Sequence, residues 1–132
     1  MAKIKLGTKP KNFKHTVTFP MLDGSVGQIE VTYKYRTRTE FGALVDEMAK
    51  AARESAEAAQ KSLADDGISL EAIEQQGAAM NARYLMKVVE GWNLDEPFSE
   101  EAAQQLADEL PAAVAAIVDG YRVAITEGRL GN

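Results

Sequence analysis

Two short segments near the start of the chain alternate between apolar and polar residues. One face of the first segment carries Phe13, His15, Val17 and Phe19, and one face of the second carries Ile29, Val31, Tyr33 and Tyr35. Alternation of period two with aromatic and β-branched residues is typical of β-strands. Asp23-Gly24 between them favours a tight turn. The pattern predicts a β-hairpin whose apolar face must be covered by helices, because an isolated hairpin is only marginally stable in water.

From residue 37 onward the apolar spacing becomes helical. Thr37 followed by Glu40 fits a capping box, and apolar residues then recur every three or four positions. The alanine-rich continuation to Leu63 keeps the helix propensity high, and Gly67 is placed to end the helix in a left-handed conformation. The sequence therefore predicts one long first helix.

Three further helices are predicted. The second runs from Leu70 through Val88 and Val89 to a stop at Gly91, with residues 75–77 weakening its start. Ser99 is placed to cap a short third helix, Pro111 to begin a fourth, and Gly128 to end it.

The predicted fold class is α+β, an N-terminal antiparallel β-hairpin packed on a small bundle of about four helices. We expect a single domain over residues 1–132. It divides into a flexible basic leader (1–12), the hairpin (13–36), a helical part (37–128) and a short tail (129–132).

The composition argues against catalysis and against a cofactor or metal. The chain has no cysteine, which removes disulfides, zinc–thiolate sites and a cysteine nucleophile. Its one histidine, His15, lies on the face of the hairpin that should pack, and no serine sits in a nucleophile-elbow pattern. The carboxylates of residues 95–101 lack the spacing of an EF-hand loop. Neither a signal peptide nor a membrane-spanning stretch is predicted, so we expect a cytoplasmic protein. Because no catalytic constellation is found, we also expect that it is not an enzyme.

The charge is divided unevenly along the chain. Residues 1–38 carry eight Lys/Arg and two acids, a net +6; residues 39–132 carry seven Lys/Arg and eighteen acids, a net −11, and the two sum to −5. Basic residues interleaved with Phe13, Tyr33 and Tyr35 suit single-stranded nucleic acid, whereas lysines on an exposed edge strand suit protection of a sheet edge. The overall acidity and the need for these aromatics in the core argue against a nucleic-acid partner.

Three stretches together resemble the family of phage tail assembly chaperones. The first, residues 84–99, is a helix end followed by Gly91, Trp92, acidic residues and Ser99. The second is the Leu110-Pro111-Ala112-Ala113 segment leading to Tyr121-Arg122 and Gly128-Arg129, and the third is the hairpin with Thr18-Phe19-Pro20 and residues 33–38. The resemblance covers nearly the whole chain. Within the family, the chain is similar to a subgroup found in tailed phages and prophages with long non-contractile tails.

The resemblance implies a function and partners. Such chaperones bind the tape measure protein in the cytoplasm of the infected cell, keep it soluble, help recruit tail tube subunits and are absent from the mature virion. Self-association also stays open, as does the alternative of a small prophage-encoded regulator that binds nucleic acid through its basic hairpin. The partner-binding candidates are Lys87, Trp92, Phe98, Arg122 and Arg129.

Alanine-rich helix faces allow either of two interpretations. Alanines at residues 51–59 and 112–116 permit a partner helix to approach closely, and they equally permit close helix packing inside the domain. Trp92 has the same ambiguity. It could be an exposed residue that binds a partner, or it could pack with Phe98 in the core at the junction between the flanking helices.

Overall fold

The N-terminal part is an antiparallel hairpin, as predicted. The computed structural model describes residues 4–65 and 69–130, with side chains except those of residues 62–65. Strand β1 (Asn12–Pro20) pairs with β2 (Val26–Lys34) from Asn12 opposite Lys34 to Pro20 opposite Val26. In the connecting turn Gly24 has a φ of 88°, a conformation that glycine adopts without steric cost. The Asp23 carboxylate accepts hydrogen bonds from the hydroxyl and backbone N–H of Ser25, and these lower the pKa of Asp23.

A third strand completes the sheet in the order β1-β2-β3. Strand β3 (Val89–Trp92) lies antiparallel to β2, with Val31 opposite Trp92 and Tyr33 opposite Val89. Thr32 lies opposite Gly91, so Glu90 is the extra residue of a β-bulge. The pairing continues beyond the strand, because the backbone N–H of Asn93 donates to the Glu30 carbonyl and the Glu30 N–H donates to the Asn93 side chain.

This strand corrects the predicted end of the second helix. The helix was expected to include Val89 and to stop at Gly91, but it ends at Val88, and both residues belong to β3. Val89 is 1% exposed, and as a residue of β3 it belongs to the core. Pairing with β2 decides the conformation here, and the helical spacing of apolar residues does not reveal that tertiary interaction.

Side-chain hydrogen bonds cap the start of three of the four helices, and a glycine ends the fourth. Their bounds are α1 Arg38–Asp65, α2 Leu70–Val88, α3 Glu100–Glu109 and α4 Pro111–Glu127. Thr37 and Glu40 form the predicted capping box, with reciprocal bonds of 2.8 and 3.1 Å, and the Thr37 N–H lowers the pKa of Glu40. Ser99 caps α3, and Gly128 ends α4 with a φ of 71°. The expected stop at Gly67 lies outside the described residues.

Ser69 starts α2 directly, so residues 75–77 neither delay the helix nor interrupt it. The Ser69 hydroxyl oxygen accepts from the Ala72 N–H at 3.1 Å, and α2 continues from Leu70 to Val88. The side-chain cap supplies an acceptor to an otherwise unpaired N–H of the first turn.

The core lies between the inner face of the sheet and helices α2, α3 and α4, with the start of α1 at its edge. Of the predicted inward residues, the buried ones form its floor: Val17, Phe19, Ile29, Val31 and the fully buried Tyr33. His15 is only half-buried, and Tyr35 lies beyond the end of β2 and is also half-buried. The Tyr33 hydroxyl donates to the Ile117 carbonyl of α4 at 2.7 Å, and its ring packs 5.2 Å from that of Tyr121. The Tyr121 hydroxyl in turn donates to the Lys34 carbonyl and accepts from Arg36. These bonds join the end of β2 to the middle of α4.

Candidate functional site

The most exposed secondary structure is a pair of helix segments, which we call the helical arm: residues 45–61 of α1 and 70–77 of α2. Among the α1 side chains that the structure describes, up to residue 61, Phe41 and Leu44 are buried and no residue of 49–61 is. Val45, Leu70 and Ile73 are 43%, 71% and 45% exposed. Leu70 and Ile73 lie one turn apart on α2, whereas Val45 lies near the base of the arm, where Glu47 of α1 reaches Lys87 of α2.

The spacing of charges along α1 favours a helix even where the helix is mostly unburied. Asp46 precedes Lys50 by four residues and Glu57 precedes Lys61 by four, the order of charges that favours a helix. The alanines add helix propensity without requiring burial. At the base of the arm, the Lys87 ammonium of α2 lies 3.5 Å from the Glu47 carboxylate of α1. Lys87, a predicted partner-binding residue, therefore sits where the arm leaves the core.

The two alanine-rich segments have different environments. In α4, Ala113 is fully buried and Ala112 and Ala116 pack against the core, so there the small side chains serve packing inside the domain. In α1, Ala52, Ala56 and Ala58 are exposed. Periodicity alone could not separate these cases, because alanine occupies both kinds of helix face.

Trp92 and Phe98, two other predicted site residues, are brought together beside a small hollow. The Trp92 ring meets Phe98 edge-on at 5.0 Å, and its Nε1–H donates to the Glu96 carbonyl at 2.7 Å. Both side chains are half-buried and pack against the core. The hollow has a volume of about 170 Å³. Its apolar lining is Trp92, Leu94, Leu106 and Leu110, and its polar lining includes Glu96 and Glu109. We call it the tryptophan hollow; sequence reasoning found Trp92 but not the three leucines.

Arg122 and Arg129, the remaining predicted residues, lie along α4 and just beyond it. The Arg122 guanidinium bonds Asp119 at 2.7 Å, which raises the pKa of Arg122, and both side chains are exposed. Arg129 pairs with Glu127 at 2.9 Å. It also borders an apolar groove of about 320 Å³ that includes Phe13, Tyr35 and Leu130. The five predicted residues therefore occupy separate surfaces, and only Trp92 and Phe98 share one.

The hairpin does not present a stacking platform to a nucleic acid. Tyr33 is fully buried, and Phe13 is half-buried with its ring 5.3 Å from Tyr33 and 6.3 Å from Tyr121. Tyr35, the third aromatic of this prediction, is half-buried outside the core and lines the groove beside Arg129. His15 is likewise half-buried, beside Gly120 of α4. Base stacking needs exposed aromatic faces. The aromatics of β1 and β2 therefore serve the core, as the strand alternation indicated.

These observations describe an α+β protein whose distinguishing surfaces are an exposed helical arm and a small apolar hollow with carboxylates at its rim. A family model described as phage tail assembly chaperone matches residues 1–132, the whole chain, and the protein belongs to that family. The comparisons with curated proteins and with solved structures gave no match. Within the described part of the chain, no helix is both long and apolar enough to cross a membrane.

Proposed function

We propose that this chaperone binds the tape measure protein in the cytoplasm of the infected cell, keeps it soluble and helps recruit tail tube subunits. It acts by binding and not by catalysis, and it needs no cofactor. Family membership supports the assembly role. The observation that carries the proposed mode of binding is the helical arm, where residues 49–61 contribute no buried residue to the core.

The arm suits a long helical client. A helix that packs against another needs small residues for close approach and apolar residues for burial. Ala52 and Ala56, one turn apart on α1, supply the first, and Leu70 and Ile73 supply the second. Because the arm is also dense in charge, its free form stays solvated until the client covers it.

The predicted cations fit contacts at the borders of this surface. Lys87 lies at the base of the arm, and its pair with Glu47 is solvent-exposed, with side chains 46% and 59% accessible. Exposed pairs contribute little to stability and are readily exchanged for a partner's carboxylate. Arg122 and Arg129 have equally exposed partners and are proposed as secondary contacts.

The test is co-expression of the chain with the tape measure protein of the same phage, followed by co-purification. Ala56→Glu places a charge on the exposed arm, and Ala115→Glu makes the same change on the exposed side of α4. We expect wild type and Ala115→Glu to hold the client in the soluble fraction and Ala56→Glu to lose most of it. If the client is equally soluble with both variants, the arm is not the client-binding surface. If the client is equally soluble with and without the chain, the proposed function is wrong.

The alternative of a nucleic-acid-binding regulator has weaker support, because Phe13 and Tyr33 pack in or against the core. Lys34 is also engaged, since its ammonium donates to the Met86 carbonyl at 2.9 Å. Binding of DNA or RNA measured over a range of salt concentrations separates the two functions. A regulator would lose affinity steeply with salt. The chaperone should show no binding at moderate salt.

A further inference from the structure

The tryptophan hollow combines an apolar floor with an acidic rim. Three leucines and the Trp92 ring form the floor, and the exposed Glu96 and Glu109 are at the rim. The Trp92 Nε1–H donates to the Glu96 carbonyl at 2.7 Å, and the Glu109 carboxylate accepts from the Gln105 amide at 2.8 Å. The volume of about 170 Å³ is close to the ~150 Å³ of an engineered cavity that takes up benzene, so the hollow has room for one side chain.

The charge around the hollow is negative and locally unbalanced. Residues 88–121 contain eight acidic residues and no lysine or arginine. The ion pairs of the described residues use other carboxylates: Glu40, Glu47, Asp119 and Glu127. Among those residues, therefore, no cation lies within ion-pair distance of Glu96 or Glu109. Acidic groups at the mouth of an apolar hollow attract a cationic ligand.

The acidic surface continues past the hollow along α3. A second hollow, of about 520 Å³, shares Gln105 with the first, and the exposed Glu101 and Asp108 line it. A ligand that follows this surface must be longer than one side chain and must carry more than one positive charge. A basic protein segment has both properties.

We propose that the tryptophan hollow binds an arginine from a basic segment of a partner protein. The methylene groups of this arginine lie on the apolar floor, and its guanidinium bonds the Glu96 and Glu109 carboxylates. Arginine suits the hollow better than lysine, because its planar guanidinium donates to carboxylates in two directions and stacks on aromatic rings such as that of Trp92. Its stem covers apolar surface while its charge stays at the exposed rim. Further cations of the segment lie along Glu101 and Asp108.

Trp92 reports the binding directly, because it is the one tryptophan of the chain. The probe is the blocked peptide acetyl-Ser-Arg-Gly-Ser-Arg-Ser-amide, titrated at about 0.15 M salt. We expect the Trp92 emission to shift to shorter wavelength, with a dissociation constant below about 1 mM. Lysine in place of both arginines should weaken binding about three- to tenfold, and citrulline, which has the shape of arginine without its charge, should abolish it. An unchanged emission, or equal binding of the citrulline peptide, would overturn the proposal.

Paired variants test the rim. Glu96→Gln combined with Glu109→Gln removes two charges and keeps the shape of the hollow, and it should weaken binding about three- to twentyfold. Asp95→Asn combined with Glu100→Gln is the matched control, because both residues are exposed on the same acidic stretch and lie outside the lining of the hollow. The control should change the affinity by less than about twofold, since salt screens the more distant charges. Equal weakening by the two pairs would contradict binding at the hollow.

The same titration separates two other occupants. If arginine amide alone binds as tightly as the peptide, the hollow is a small-molecule site and the proposal is wrong. If the basic leader of the chain already fills the hollow, the peptide will bind only after Lys5→Gln combined with Lys11→Gln, and that result would also refute it. The helical arm takes no part in this assay, so Ala56→Glu should bind the peptide normally. Loss of peptide binding therefore leaves the proposed client contact at the arm untouched.

Discussion

Gly120 marks the closest approach of α4 to the sheet, and Gly120→Ala is the sharpest test of that packing. An added Cβ would lie 2.9 Å from the Tyr33 hydroxyl oxygen, 3.4 Å from Val17 and 3.5 Å from His15. Tyr33 cannot swing aside easily, because it is fully buried and its hydroxyl donates to the Ile117 carbonyl. The methyl group must therefore displace the helix from the sheet or break this hydrogen bond.

The opposing energies can be compared. Alanine gains about 1 kcal/mol over glycine in a helix interior. Overpacking costs about 1–3 kcal/mol, and loss of the buried hydrogen bond costs about 1–1.5 kcal/mol. Displacing α4 also separates the Tyr33 hydroxyl from the Ile117 carbonyl, so both costs apply, and less the helix gain they leave about 1–3.5 kcal/mol. We expect Gly120→Ala to lower the free energy of unfolding by that amount, with the midpoint of thermal unfolding falling by roughly 3–5 °C per kcal/mol.

Urea unfolding followed by Trp92 emission and by circular dichroism measures this change. Gly42→Ala in α1 is the control, because its Cβ would meet nothing within 4 Å, and it should stabilise the protein by about 0.5–1 kcal/mol. In a Tyr33→Phe background, which lacks the obstructing oxygen, Gly120→Ala should cost much less. If Gly120→Ala stabilises the protein as Gly42→Ala does, the close packing of α4 on β2 described above is wrong.

Three further predictions concern the core and its helices. Burial raises the pKa of three tyrosines, Tyr33, Tyr84 and Tyr121. Their contribution to stability is intact below the ordinary tyrosine pKa of about 10 and is lost as pH rises through the raised pKa values, because the tyrosines of the unfolded chain ionise first. Phenolate absorbance at increasing pH should show the delayed ionisation, and urea midpoints over the same range should show the loss of stability. Ser99→Ala removes the cap of α3 and should cost about 0.5–2 kcal/mol in urea unfolding, while Ser99→Asp should retain most of it. Leu85→Ala, at a fully buried position, should cost about 2–5 kcal/mol, whereas Leu70→Ala on the arm should change the free energy of unfolding by less than about 0.5 kcal/mol.

Much of the fold was predictable from local patterns. The alternation that predicted the hairpin is confirmed by the burial of Val17, Phe19, Ile29, Val31 and Tyr33. The capping residues were equally informative, because their hydrogen bonds involve neighbours within three or four positions. Strand β3 was missed for the opposite reason. Four residues are too few to show alternation clearly, and their conformation depends on β2, about sixty residues earlier.

The candidate surfaces were predictable only in part. Trp92 and Phe98 drew attention as aromatics after a helix end, but the leucines beside them look like ordinary core residues in the sequence. The arm was hidden because Phe41, Leu44, Val45 and Met48 continue into Ala52 without a break in spacing, while burial stops near residue 48. A helical period indicates which face is apolar but not whether another element covers it.

The bond from Tyr33 to the Ile117 carbonyl also bears on how the protein comes to be folded during synthesis. It joins residues 84 positions apart, and the inner face of β1 and β2 is covered chiefly by α4. A nascent chain that has not yet released α4 from the ribosome thus carries a hairpin with its aromatic face in water, and such long-range closure slows folding. The chain can reach its native fold only after α4 has left the ribosomal tunnel.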